Sequence, residues 1–275
     1  MEVFMHAIRQ PAVAGAFYPG QALALSKNVQ ALLSEAGSCD VAGDVYPKAL
    51  IVPHAGYVYS GSTAALAYAR LVPLRKIIRR VVLLGPVHRV PVRGLALPGA
   101  DIFATPLGQV EVDQAAVACI SGLRQVVVSP AAHAMEHSLE VQLPFLQAVL
   151  DDFKLVPLAV GDASPEEVAE VLEALWGGPE TLMVISSDLS HFLSYRTAQI
   201  VDQDTVQRIM SLSGSITHVQ ACGGTPVNGL LLAAQHHHLQ PQLLGQCNSG
   251  DTAGDKDRVV GYAAFAFMQE LSDVH

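Results

Sequence analysis

The stretch Ala49-Leu50-Ile51-Val52-Pro53-His54-Ala55-Gly56 is an apolar run closed by a proline, a histidine and a glycine. The chain uses a similar device again at Val81-Val82-Leu83-Leu84-Gly85-Pro86-Val87-His88. Short apolar runs bounded by Pro and Gly read as central strands of a parallel sheet, buried on both faces. In such sheets ligand sites lie beyond the carboxyl ends of the strands. Either histidine alone is better explained as a hydrogen-bonded turn residue. Two of them in the same Pro-containing context point to one shared site, because two strands of a sheet deliver them to the same edge.

Outward from these runs, strand and helix patterns alternate, which predicts a single α/β domain over residues 1–275. Its central sheet is expected to be mainly parallel and flanked by helices on both faces. Strands are expected at 48–52, 80–84, 125–128, 154–160, 181–186, 242–247 and 258–267, the last two joined by a loop at 249–257. Short irregular strands are expected within 93–105. Helices are expected at 21–35, 62–71, 113–121 and 136–150, the last with a kink or late start at Pro144. Ser164-Pro165-Glu166-Glu167 is a helix start with Ser at the N-cap, Pro at N1 and Glu at N3. Thr225-Pro226 opens a helix running to His236, His237 and His238.

The chain is 51% hydrophobic and 15% charged, enough to bury a large core without staples. A net charge of −9 argues against nucleic acid or an anionic membrane surface as partner. The basic cluster Arg75-Lys76 and Arg79-Arg80 reads as a solvated approach to a strand. No uncharged apolar stretch approaches the roughly 18 residues of a membrane helix, so the mean hydropathy of +0.34 reflects core. Residues 1–6 lack the pattern of a secretion signal. Cys39, Cys119, Cys222 and Cys247 form no CxxC and no disulfide framework, so free thiols and a cytoplasmic location are expected.

Three further segments place reactive groups at element ends. Asp188 and His191 follow the strand at 181–186. His137 and Glu140, three apart, sit at a helix start and are expected on one face. Cys222, in Cys222-Gly223-Gly224-Thr225-Pro226, precedes a helix N-terminus, whose partial positive charge favours a thiolate. Singly, each has an ordinary explanation: a helix cap, an i,i+3 pair, a small buried thiol. Together with His54 and His88 they exceed what packing needs and suggest a metal or catalytic pocket. Imidazoles with a thiolate suit zinc, iron or copper and not magnesium or calcium. Asp188, His137 and His191 are then expected to orient ligands or move protons.

His133-Ala134-Met135-Glu136-His137 spells the inverted zinc-peptidase motif, which requires both histidines on one regular helix. With Pro130 upstream and a helix expected to start near Ser138, His133 is expected on a loop, leaving zinc hydrolysis a minor alternative. The run His236–His238 is expected to complement a helix C-terminus and is given no role. No P-loop, dinucleotide fingerprint or nucleophile elbow occurs.

The motifs quoted above, together with Pro11-Ala12-Val13-Ala14-Gly15-Ala16-Phe17-Tyr18-Pro19 and Glu136-His137-Ser138-Leu139-Glu140-Val141-Gln142-Leu143-Pro144, resemble the Memo-like proteins. This is the AmmeMemoRadiSam system protein B group, related in fold to class III extradiol dioxygenases. The resemblance implies a metal held by His54, His88 and Cys222, with His191 nearby as general acid/base and Asp188 and His137 in support. Two histidines and a glutamate hold ferrous iron in the dioxygenases, and Cys222 looks like the replacement for that glutamate. It thus implies an iron- or copper-dependent oxidoreductase acting on a small-molecule substrate, with zinc as a further option. AMMECR-type and radical-SAM proteins are implied as partners. The alternative is a non-catalytic pocket that binds a peptide or protein. Eukaryotic members are described as binding phosphotyrosine-type peptides, which Phe17 and Tyr18 do not establish here.

Overall fold

A computed structural model describes residues 7–37 and 45–270. Cys39 and the segment 1–6 lie outside the described residues. In chain order the first half contains β1 (Ile8–Arg9), α1 (Ala22–Ala36), β2 (Val45–Val52), α2 (Tyr57–Tyr68), β3 (Arg80–Pro86), β4 (Leu95–Leu97), β5 (Ile102–Thr105), β6 (Gly108–Glu111) and α3 (Gln114–Ile120). There follow β7 (Val126–Val128), α4 (Pro130–Ala134), α5 (Leu143–Val149), β8 (Lys154–Val160), α6 (Pro165–Ala174) and β9 (Thr181–Ser186). The chain continues with β10 (His191–Leu193), α7 (Tyr195–Met210), α8 (Gly224–His236), β11 (Gln240–Asn248) and β12 (Val259–Glu270).

The main sheet runs β10-β12-β2-β9-β3-β8-β4-β7, with β11 paired to β12. Its centre, β2-β9-β3-β8, is parallel throughout. The flanks are mixed: β12 is antiparallel to β2, β10 and β11, and β4 is antiparallel to β8 but parallel to β7. The parallel reading therefore holds where strands are joined by helical crossovers. It gives way where β11 and β12 form a hairpin at the edge. A separate small sheet, β1-β5-β6, carries the N-terminal segment.

Strand side chains alternate between two apolar layers. Leu50, Val52, Val81 and Leu83 face α1, α2 and α5; Ala49, Ile51, Val82 and Leu84 face α3, α6, α7 and α8. Burying each large aliphatic side chain contributes about 1.5–3 kcal/mol, so this double-sided core fixes the sheet.

Several local expectations need correction. The helix after β2 begins at Tyr57, not Ser62, and tightens into a 3-10 segment at Ala69–Leu74. Residues 136–150 are not one helix: a 3-10 turn at Glu140–Gln142 precedes α5, with Pro144 in its first turn. The late start wins because Pro144 needs no N–H there. His133 lies in the short helix α4, capped by Ser129, rather than on a loop. α7 escaped the sequence reading because its buried face mixes Ala198, Val206 and Ile209 with Asp202 and Thr205, which blurs the apolar period. The capping box at Ser164 forms as read, with Glu167 N donating to Ser164 Oγ and Ser164 N to Glu167 Oε2.

Candidate metal centre

The parallel register assembles the site. Val52 pairs with Ser186 across β2 and β9, and Leu84 pairs with Ile185 across β3 and β9. His54 and Asp188 therefore each stand two residues beyond aligned partners, and His88 follows the end of the adjacent strand. The loop before α8 brings Cys222 to the same edge, where Gly223 passes Ser187 so closely that a Cβ would lie 2.7 Å from the Ser187 Cβ. One ligand atom from each of His54, His88 and Cys222 lies within 4.8 Å of the others. Cys222 Sγ is 3.3 Å from His54 Nε2.

Hydrogen bonds decide which ring nitrogen faces inward. Ser186 Oγ donates to Ser138 O at 2.6 Å, so its contact with His54 Nδ1 at 2.9 Å requires Nδ1 to carry the proton. The Nε2 lone pair then faces the thiol. His88 Nδ1 lies 2.9 Å from Glu136 Oε1. Burial pushes the Glu136 carboxyl up, but the His88 side chain and the N–H groups of Ser138 and His88 outweigh it and hold it at about 2. An ionised acceptor makes His88 Nδ1 the donor, again leaving Nε2 open. Carboxylate or hydroxyl behind a histidine fixes its tautomer in just this way at metal sites. Burial, reinforced by His88, pulls the His54 pKa down to about 3, so His54 stays neutral and able to bind metal.

The protonation of Cys222 departs from the sequence expectation. Burial and the Asp188 carboxylate push its pKa up to about 12, outweighing the helix N-terminus. The thiol donates to His54 Nε2, and binding a metal through this sulfur would require loss of that proton. Two imidazole nitrogens and one sulfur, the sulfur otherwise only 3.7 Å from Asp188 O, are a donor set that fits a borderline transition metal.

Asp188 caps no helix. Its Oδ1 accepts the His54 N–H at 2.7 Å, and its carbonyl accepts the Cys222 N–H at 3.3 Å, tying the His54 and Cys222 loops together. Burial pushes its carboxyl up, against the opposing His54 N–H. His191 Nδ1 donates to Leu189 O at 2.8 Å, since a carbonyl only accepts, which fixes the orientation of the ring. His137 enters the group more closely than a supporting role implied: its ring centroid is 4.7 Å from His88, 5.4 Å from His54 and 4.7 Å from Phe17. Burial and His54 lower its pKa to about 4.

What the sequence reading missed lies in the segment 136–142: the residue Gln142 and the roles of Glu136 and Glu140. Glu136 accepts the His88, His137 and Ser138 N–H groups as well as His88 Nδ1. So although His88, Glu136 and His137 also cluster, the Glu136 oxygens are already committed. Gln142 donates to Pro53 O and Ser186 Oγ, behind His54. Glu140 does not pair with His137; fully buried, it accepts from Arg9 Nη1, Ala12 N, Val13 N and Tyr18 Oη, strapping the N-terminal segment across the molecule. That strap delivers Phe17 to His137. The signal was present: carboxylates at 136 and 140 and an amide at 142 recur every two to four residues just ahead of the apolar α5. His133 is committed elsewhere, Nε2 donating to Ala96 O at 2.7 Å, so the inverted peptidase motif does not assemble.

A cavity of about 410 Å³ opens beside the cluster, walled by Phe17, Tyr59, His137, Asp188, His191 and Arg258. A larger one, about 680 Å³, lies by Arg93, Arg124 and Glu170 and has no imidazole or thiol in its wall; volume alone does not select the site. No described helix is long and apolar enough to cross a membrane.

Comparison with known proteins accords with this architecture. A crystal structure of an uncharacterized protein from Escherichia coli K12 superposes with a TM-score of 0.50 over 80% of this chain and 98% of that one, at 12% identity, a likeness of fold alone. MEMO1 family proteins are similar over nearly the full length. That of Metallosphaera sedula is 33% identical (94% of this chain, 99% of that protein). Those of Aquifex aeolicus and Methanococcoides burtonii are 34% identical (95% and 99%) and 36% identical (94% and 98%). The family described as Memo-like protein matches residues 9–266, from the Arg9 anchor of the strap into the last strand of the sheet, and to that family this chain belongs.

Proposed function

We propose that the protein is a metal-dependent oxidoreductase, using iron or copper, that acts on a small substrate in the cavity beside His137 and His191. The observation that carries this reading is the convergence of His54, His88 and Cys222 within 4.8 Å, with both Nδ1 atoms already engaged. When bound there, such a metal supplies one-electron chemistry and open coordination positions.

The chain's own residues do the rest. His191 Nε2 accepts a proton from substrate at the cavity wall, its ring held by Leu189 O. Asp188 keeps the His54 and Cys222 loops in register, and Phe17 with Tyr59 offers apolar surface for substrate. Burial of His54, 1% exposed, excludes water from the inner face.

The test is metal analysis of protein purified without added metal, with anomalous scattering at the iron, copper and zinc edges. Wild type is expected to hold iron or copper at the three side chains. Wild-type metal content no different from His54→Ala/His88→Ala would overturn the reading. With a substrate in hand, Cys222→Ser is expected to abolish turnover; a Cys222→Ser protein that keeps every measurable property would favour a binding pocket without chemistry.

A further inference from the structure

A second imidazole cluster stands at the far end of α8. Gly229 of α8 meets α6 so closely that a Cβ would lie 2.4 Å from Val168 Cγ1. The two helices run side by side in the same direction from that contact, and their C-terminal ends meet. There Glu173 Oε1 lies 2.9 Å from His236 Nδ1, and Glu173 Oε2 lies 2.9 Å from His237 Nε2. The three ligand atoms are all within 4.8 Å of one another.

We propose that Glu173, His236 and His237 form a second metal site, for a borderline divalent ion such as copper(II) or zinc. Ligand atoms about 2.0–2.2 Å from such an ion lie about 3.3–3.6 Å apart in tetrahedral geometry and about 2.8–3.1 Å apart at right angles, and two of the separations here, both 2.9 Å, are on that scale. Two imidazoles and a carboxylate are a donor set these ions accept, with positions left for water. Both helices present the negative ends of their dipoles, which favours a cation over an anion. The His237 ring is held flat on Trp176, with centroids 3.9 Å apart and planes 8° apart. Trp176 is itself fixed, because the buried Lys48 ammonium binds its carbonyl together with those of Gly178 and Thr181. The site is thus preorganised on one side and open to solvent at His236, 71% exposed. It draws nothing from the centre at Cys222, since α8, 13 residues long and so about 20 Å, lies between.

Trp176 is the sole tryptophan and reports on the site through the stacked ring. Its fluorescence in the full chain carrying Cys222→Ser is titrated with copper(II) at neutral pH, followed by zinc as competitor. Saturable quenching with one equivalent, reversed by zinc, is expected. Glu173→Gln and His236→Asn, neither of which removes the ring on Trp176, are each expected to weaken copper binding roughly tenfold or more. If Cys222→Ser does not fold, the wild-type chain is titrated instead, with the two variants made in that background and compared through the Trp176 signal alone. Absence of saturable quenching, or an affinity in both variants unchanged from the parent chain, overturns the proposal and leaves the oxidoreductase reading untouched. Loss of metal from His54, His88 and Cys222 would overturn that reading and leave this one standing.

Discussion

Helix α8 has an imidazole cluster at each end, and the two are built in opposite ways. At its start, Cys222 meets His54, 168 residues away, and His88. Each ring there is backed by a buried acceptor, Ser186 or Glu136, which is itself held. At its end, two successive histidines share one half-exposed carboxylate, and only His237 has a rigid neighbour. The difference teaches where preorganisation comes from. Side chains brought from separate strands need a second layer of hydrogen bonds to face one point, whereas at the outer end a single helix–helix contact brings Glu173 to two successive histidines.

The sharpest way to break this comparison is at the ligands. Metal is expected to copurify with the wild-type chain and to be lost from His88→Ala/Cys222→Ser, read by elemental analysis, while Glu173→Gln keeps the wild-type content. The reverse pattern would invert the ranking of the two ends. Next is the strap behind the inner cluster. Glu140→Gln leaves Arg9 buried without its carboxylate and is expected to cost about 3–5 kcal/mol in denaturant unfolding. A change under 1 kcal/mol would show that the strap does not support the site.

Glu136→Gln keeps the shape of the acceptor but not its charge. It is expected to lower metal affinity about 10–100-fold, by chelator competition, with little effect on Trp176 quenching. At the outer end, Lys48→Met deprives buried carbonyls of their donor and is expected to cost about 1–3 kcal/mol and to loosen the Trp176 stack, seen in its emission. The smallest effect concerns Glu173. Burial raises its carboxyl, but His236 and His237 outweigh this and hold it below the usual range. A depressed pKa gives stability that is present above the unfolded value, about 4.3, and is lost as pH falls through the folded value. Glu173→Gln should therefore differ from wild type by at most about 1 kcal/mol at neutral pH, and the difference should vanish in acid. A difference that persists in acid would show that the carboxylate charge is not its source.

Much of this was legible without coordinates. β8, β9 and α6 lie where the sequence put them, and β2 and β3 overlap their expected spans, because their signals are local: apolar runs, a proline, a serine cap. α7 was not legible, since polar side chains sit on its inward face: Asp202 accepts the Ser190 N–H next to His191, and Thr205 donates back to Val201 O within the helix. Glu136 and Glu140, four residues apart and alike in chemistry, illustrate the same limit. One holds a histidine and the other a strap, and nothing in their shared sequence context distinguishes them.

The sequence by itself determined that histidines follow two central strands and that a cysteine precedes a helix, because strand ends and helix starts are written in neighbouring residues. Only the tertiary structure decided that these groups meet, that each histidine turns its Nε2 inward, and that Cys222 keeps its proton until something replaces it. Those outcomes depend on desolvation and on hydrogen-bond partners scores of residues away, which the folded chain alone brings into contact.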